Sequence, residues 1–240
     1  MTSEEELDLE LDRVARLVLL NGPITVYRAQ QYLQEMKRRA GKIIQPGKKD
    51  PALSTVHGHF RILEDEGEIV VYAKERTGRK EKYYGLTLYG FLWSLSPKLV
   101  ETKFAAILKR WLSEDGFNFL LPKEEVMKSI EDEKVALSLG KICLAISDGL
   151  PDTRDLLDFL RSMGYDESNP HVAQLLIQFA LGASFSKNPA EIIAALKVVC
   201  NTSTLPSARK EMRLYAKSQR QGLAKLEQEL GLAEGVRHKP

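Results

Sequence analysis

The sequence predicts a mainly α protein: an N-terminal winged helix, meaning three helices plus a β-hairpin wing, followed by an all-helical C-terminal domain. Three observations carry that expectation. Apolar residues recur at helical spacing over most of the 240 residues. The period changes to two only in "EIVVYAKER" and "EKYYGLTLYG", which are rich in Val, Ile, Tyr and Thr. After Tyr89 the breakers "DGLP", "ESNP" and "SKNP" each end in a proline, placed where a following helix tolerates it in its first turn.

The elements follow in order. Leu11, Val14, Ala15 and Val18 fall at i, i+3, i+4 and i+7, one helical face that "NGP" at 21–23 ends. Thr25 is the expected N-cap of a second helix with Val26, Ala29, Leu33, Met36 and Ala40 inward. "GKIIQPGKKDP" is a loop. A third helix runs from Leu53 to Glu66, entered at Ser54 or Asp50, with Leu53, Val56, Phe60 and Leu63 as its core stripe. Gly67 is its expected terminator. The two alternating runs are joined by "TGRK" into a hairpin. Beyond it lie apolar-periodic segments at 104–112, 124–130, 134–146, 152–163, 171–185 and 190–199, then an amphipathic helix from Ser207 to Leu230. The expected division is an acidic segment 1–10, a unit 11–95, a helical domain 96–205 and a basic helix and tail 206–240.

Composition is that of a soluble globular chain, 43% hydrophobic and 28% charged, with a net charge of +2. The distribution of charge says more. Residues 1–12 hold six acids and no base, whereas residues 13–95 hold 15 Lys/Arg against 8 Asp/Glu. Cys143 and Cys200 stand far apart in apolar contexts, with no disulfide framework. The acidic start is unlike a signal peptide, and the longest uncharged run falls short of the roughly 20 apolar residues of a membrane span. The expected location is the cytoplasm, with no membrane partner.

Between Ser54 and Leu92 stand, in order, Ser54–Thr55, Ile62-Leu63-Glu64-Asp65-Glu66-Gly67, Ile69, Gly78-Arg79-Lys80, Tyr83-Tyr84, Leu86-Thr87 and Gly90. Through these residues the stretch resembles the winged helix-turn-helix transcription regulators of the PadR and MarR type. The match is close over about 40 residues and loose over the span 11–95. The loop Gly41–Pro51 is longer than the family's tight turn, and nothing after residue 100 follows the family's pattern. The resemblance implies double-stranded DNA as partner and a homodimer reading two half-sites.

The residues support a duplex interface independently. At 100° per residue, Ser54, Thr55, Gly58, Arg61 and Ile62 fall opposite the core stripe of the third helix, with His59 lateral and His57 at the stripe's margin. Such a face suits a major groove: hydroxyls, a glycine for close approach and an arginine able to fork onto guanine. Five Lys/Arg lie between positions 74 and 82, more than a turn requires. Arg76, Arg79, Lys80 and Lys82 would neutralise phosphates, joined by Lys48 and Lys49 before the recognition helix. Glu75 and Glu81 would blunt the patch by pairing across the hairpin. Tyr83 and Tyr84 alternate, so one is expected in the core and the other outside.

No nucleotide-binding, zinc-protease or serine-hydrolase motif is present, and no catalytic residues or cofactor are expected. His57 and His59 are two apart on a helix and cannot share a metal ion. The expected function is a sequence-specific double-stranded DNA-binding protein, a transcription regulator whose helical region serves assembly or senses a small-molecule or protein effector. The rival is a winged-helix protein–protein interaction module, an adaptor subunit of a larger nucleic-acid-handling complex.

Overall fold

A computed structural model describes residues 3–41, 52–76, 79–115, 117–165 and 170–229. Helix α1 (Ser3–Asn21) buries Leu11, Val14, Ala15 and Val18, the stripe expected of it. It also absorbs the acidic segment, which continues the helix instead of preceding it. Pairs along the axis support this first half: Arg13 with Glu10 at 2.5 Å and Arg16 with Asp12 at 2.9 Å. Gly22, at φ 79°, ends the helix.

Helix α2 (Val26–Gly41) opens with the Thr25 hydroxyl accepting the Arg28 amide at 3.2 Å, as the sequence predicts. Its core contribution stops at Leu33. Met36, expected inward, is 55% exposed, because the second half of the helix runs past the edge of the core. Helix α3 (Leu53–Asp65) ends before Gly67, whose φ of 74° makes it the left-handed terminator.

Strands β1 (Ile69–Arg76) and β2 (Arg79–Leu86) form an antiparallel hairpin in the register Ile69↔Leu86 to Arg76↔Arg79. Ile24 extends it by a bridge to Tyr84, with N···O distances of 3.0 and 2.9 Å. The second strand is shorter than its alternation predicts. Thr87 accepts the Gly90 amide at 3.0 Å and so caps helix α4 (Leu88–Trp93), while its hydroxyl donates to the Gly67 carbonyl at 2.7 Å. A Cβ on Gly90 would stand 2.0 Å from the Glu68 carbonyl oxygen, so only glycine permits α4 to turn back this tightly onto β1.

The remainder is all-helical: α5 (Pro97–Leu112), α6 (Lys123–Ser129), α7 (Glu133–Gly149), a 3-10 turn at Leu150–Thr153, α8 (Arg154–Ser162), α9 (Pro170–Lys187), α10 (Pro189–Asn201) and α11 (Pro206–Glu229). Four of these helices begin on a proline. Helix α7 is the centre, packed by α5, α9 and α10. Its Gly149 lies so near the Ala180 carbonyl that a Cβ would come within 2.0 Å of the oxygen.

One core cluster runs from Leu11 to Ala208, with a small satellite of Leu157, Val172 and Leu176 between α8 and α9. It crosses the division expected at residue 95. The joint is specific. A helix leaves its last carbonyls without partners, and α1 finds them in two places. Asn21 Nδ2 donates to the Leu17 carbonyl at 2.8 Å and the Gly22 amide to Val18 at 2.9 Å. From α5, the Trp111 indole N–H donates to Leu19 at 2.9 Å and the Arg110 guanidinium to Leu20.

Candidate nucleic-acid interface

Helix α3 has two unlike sides. Val56, Phe60 and Leu63 are buried, as the apolar spacing requires. Leu53, expected to join them, is 39% exposed, since the first turn projects beyond the core. Ser54, Thr55, His57, Gly58 and Arg61 are exposed, and Ile62 is half-buried against the core. The side chains of Ser54, Thr55, His57 and Arg61 bond to no other described residue. Ser54 and Thr55 are not caps: the N-cap is Ala52, which offers no side-chain oxygen to the first amides.

Gly58 sits mid-helix. A Cβ there would meet no atom within 4 Å among the described residues. Packing therefore does not demand glycine, and the helix is weakened by roughly 0.5–1 kcal/mol relative to alanine.

His59 lies apart from this set. It is 9% exposed, and its Nδ1 is buried without a partner among the described residues. The helical wheel put it at the flank of α3, but the acidic half of α1 packs along that flank. Burial lowers the imidazole pKa, opposed by the nearby Glu10 carboxylate. A side chain so enclosed is not placed to touch a duplex.

The hairpin is seated on α3 by Ile69 and Leu86, both buried, and by Tyr84, whose ring meets Phe60 edge-on at 5.0 Å. Tyr83 and Tyr84 are both half-buried, not split between core and solvent. Tyr72 lies on the other face across Gly85, where a Cβ would come 2.4 Å from its ring. The register decides which charged positions stand opposite one another in the hairpin. In the strand register Lys74 stands opposite Glu81 and Glu75 opposite Lys80. Arg76 stands opposite Arg79 at the tip, and Lys82, which is exposed, opposite Ala73. Like charges directly opposite destabilise a hairpin. Lys48 and Lys49 lie outside the described residues.

A second group of acids, which the sequence did not single out, closes the back of this unit. Glu68 is 8% exposed at the start of β1. Burial pushes its carboxyl up to about 8, reinforced by Glu66 and Asp12. The Glu66 carboxyl is also raised, by burial and by Asp8, against Arg154 and Arg161. Arg161 of α8 donates to the Glu66 carbonyl at 3.1 Å, tying the end of α3 to the helical region. The only hint in the sequence is an acid between a left-handed glycine and an apolar strand.

Among the described residues no group of three His, Cys, Asp or Glu could hold a metal ion, and no helix is long and apolar enough to cross a membrane. No family model and no curated protein sequence matches this chain.

Proposed function

We propose that the protein is a winged-helix, sequence-specific double-stranded DNA-binding protein acting as a transcription regulator. The observation that carries the reading is the uncovered polar side of α3, with a glycine in mid-helix facing open space. Both Gly58 and the Arg76–Arg79 pairing are unfavourable within the isolated chain. Both become useful against a polyanion: the glycine lets the helix approach base edges, and the arginines meet phosphates. Arg61 is the residue for guanine, Ser54 and Thr55 for phosphate or base edges, and the wing for affinity. His57 is at the margin of the footprint. Two half-sites call for a homodimer, which light scattering would show as twice the mass of one chain.

Selection of bound duplexes from a random pool tests the specificity; recovery of no common sequence would overturn it. A salt titration tests the wing. Charge reversal of Arg79 and Lys80 is expected to flatten the slope of log affinity against log salt by about 0.9 for each phosphate no longer neutralised. Arg79 should contribute more than Lys80, which has Glu75 opposite.

Gly58→Ala separates the functional from the structural role of the helix. The variant is expected to be more stable than wild type by about 0.5–1 kcal/mol and to bind its duplex at least tenfold more weakly. Gains in both would rule out close approach of α3 to DNA.

The rival reading, an adaptor, draws on one observation. Phe159, Met163, Tyr165 and Phe179, on or next to α8 and α9, are between 49% and 59% exposed, large apolar side chains that a partner protein could cover. An adaptor would bind duplexes without regard to sequence or not at all.

A further inference from the structure

Helix α11 carries a row of cations that the fold leaves unanswered. Lys210, Arg213, Lys217 and Arg220 fall at i, i+3, i+7 and i+10, within about 80° of the helix circumference and along about 15 Å of its axis. All four are exposed, and none bonds to another described side chain. Arg209 differs: it donates to the Cys200 carbonyl at 3.0 Å and to Asn201 at 3.2 Å, securing the start of the helix. Glu211 cannot compensate the row, because the positions three and four residues away from it are Ser207, Ala208, Leu214 and Tyr215.

Each successive member of the row is therefore a like-charge neighbour of the last, an arrangement that weakens a helix by itself. The opposite side of α11 belongs to the body of the protein. Ala208 is buried, Met212 and Tyr215 are half-buried, and the helix packs on α10. Where it is described, from Ala208 to Tyr215, this side is occupied and is not free to insert into a lipid surface. What remains is a rigid, one-signed ridge containing two guanidiniums, suited to the repeated charge of a phosphodiester backbone.

We infer that Lys210, Arg213, Lys217 and Arg220 of α11 form a second, sequence-independent contact for the nucleic-acid phosphate backbone, separate from α3 and the hairpin. The inference rests on the reading of the protein as a duplex binder and adds a surface to it. Base specificity stays with α3, and α11 contributes affinity and salt dependence alone.

The test uses the full chain, a long labelled duplex of mixed sequence and a salt series. In one variant the four residues are replaced by glutamine, a good helix former, so that α11 persists; circular dichroism checks this. The expected result is a salt slope reduced by roughly three to four, at about 0.9 per neutralised phosphate, with the sequence preference unchanged. A wing variant, Arg76→Gln with Arg79→Gln, is run beside it. If the wing variant flattens the slope and the α11 variant does not, the α11 contact is overturned and the proposed function stands. If wild type binds no duplex, both fall. Binding to phosphatidylserine vesicles that exceeds binding to the duplex, and that the α11 variant abolishes, also overturns the inference, in favour of a membrane surface.

Discussion

Trp111→Ala is expected to destabilise the protein by about 3–5 kcal/mol, the range for deleting a fully buried large aromatic side chain. Trp111 is 0% exposed and its ring packs against Phe117 at 5.4 Å. The substitution opens a cavity at the junction of the N-terminal unit with the helical region. It also removes the indole N–H from the Leu19 carbonyl, one of the last carbonyls of α1. A buried acceptor without its donor adds about 1–3 kcal/mol. Trp111→Phe separates the two effects, since it keeps most of the ring and loses the hydrogen bond. Urea denaturation measures both variants. A loss below about 1 kcal/mol for the alanine, far under the cavity range, would show that α5 does not hold α1. Two separate transitions in the wild type would show that the two parts fold independently.

Glu68→Gln is expected to stabilise the protein at alkaline pH by on the order of 5 kcal/mol and to change nothing in acid. The sign follows from where the proton sits. In the unfolded chain Glu68 releases its proton near the ordinary 4.5, whereas in the fold it holds it until about 8. Below 4.5 both states are protonated and the buried carboxylic acid is neutral, so its favourable contribution is fully present. As pH rises from 4.5 to about 8 the unfolded state is progressively favoured, and that contribution is lost. Glutamine has nearly the same shape and never ionises. The difference between the two proteins, read by denaturation across this range, isolates Glu68 from every other titrating group. A difference that does not grow with pH would mean that Glu68 reaches water in the fold.

The two results bear on one feature. Glu68 lies under α3 and the hairpin, while Trp111 locks the far end of the same unit to α5. Trp111 helps hold α1 against α5 through its bond to the Leu19 carbonyl, whereas burial of Glu68 costs the fold stability as pH rises.

Much of this was legible in the chain. The spacing of Val56, Phe60 and Leu63, the terminator Gly67 and the alternation in "EIVVYAKER" place α3 and β1 where they are found. The prolines mark helix starts at Pro170 and Pro189 because a missing N–H is harmless there. The polar outer side of α3 follows from the same arithmetic, read from the opposite direction. Where the reading departs from the fold, the cause lies in packing or capping that the period of one stretch does not encode. His59 is covered by α1, β2 is cut short by the cap at Thr87, and Met36 and Leu53 stand beyond the reach of a core that supplies no partner.

By itself the sequence determined most of the helical segments, the terminator Gly67, and that cations gather in the hairpin and along α11, because these are properties of spacing and composition within one stretch. Only the tertiary structure decided which charges face one another and which are left over. The register set Glu75 and Glu81 against lysines and left Arg76 opposite Arg79. The packing buried Glu68 among acids and left Lys210, Arg213, Lys217 and Arg220 exposed, with no ion-pair partner among the described residues. Charge is written residue by residue, but its compensation depends on distances between residues far apart in the chain, and those exist only once the core has closed.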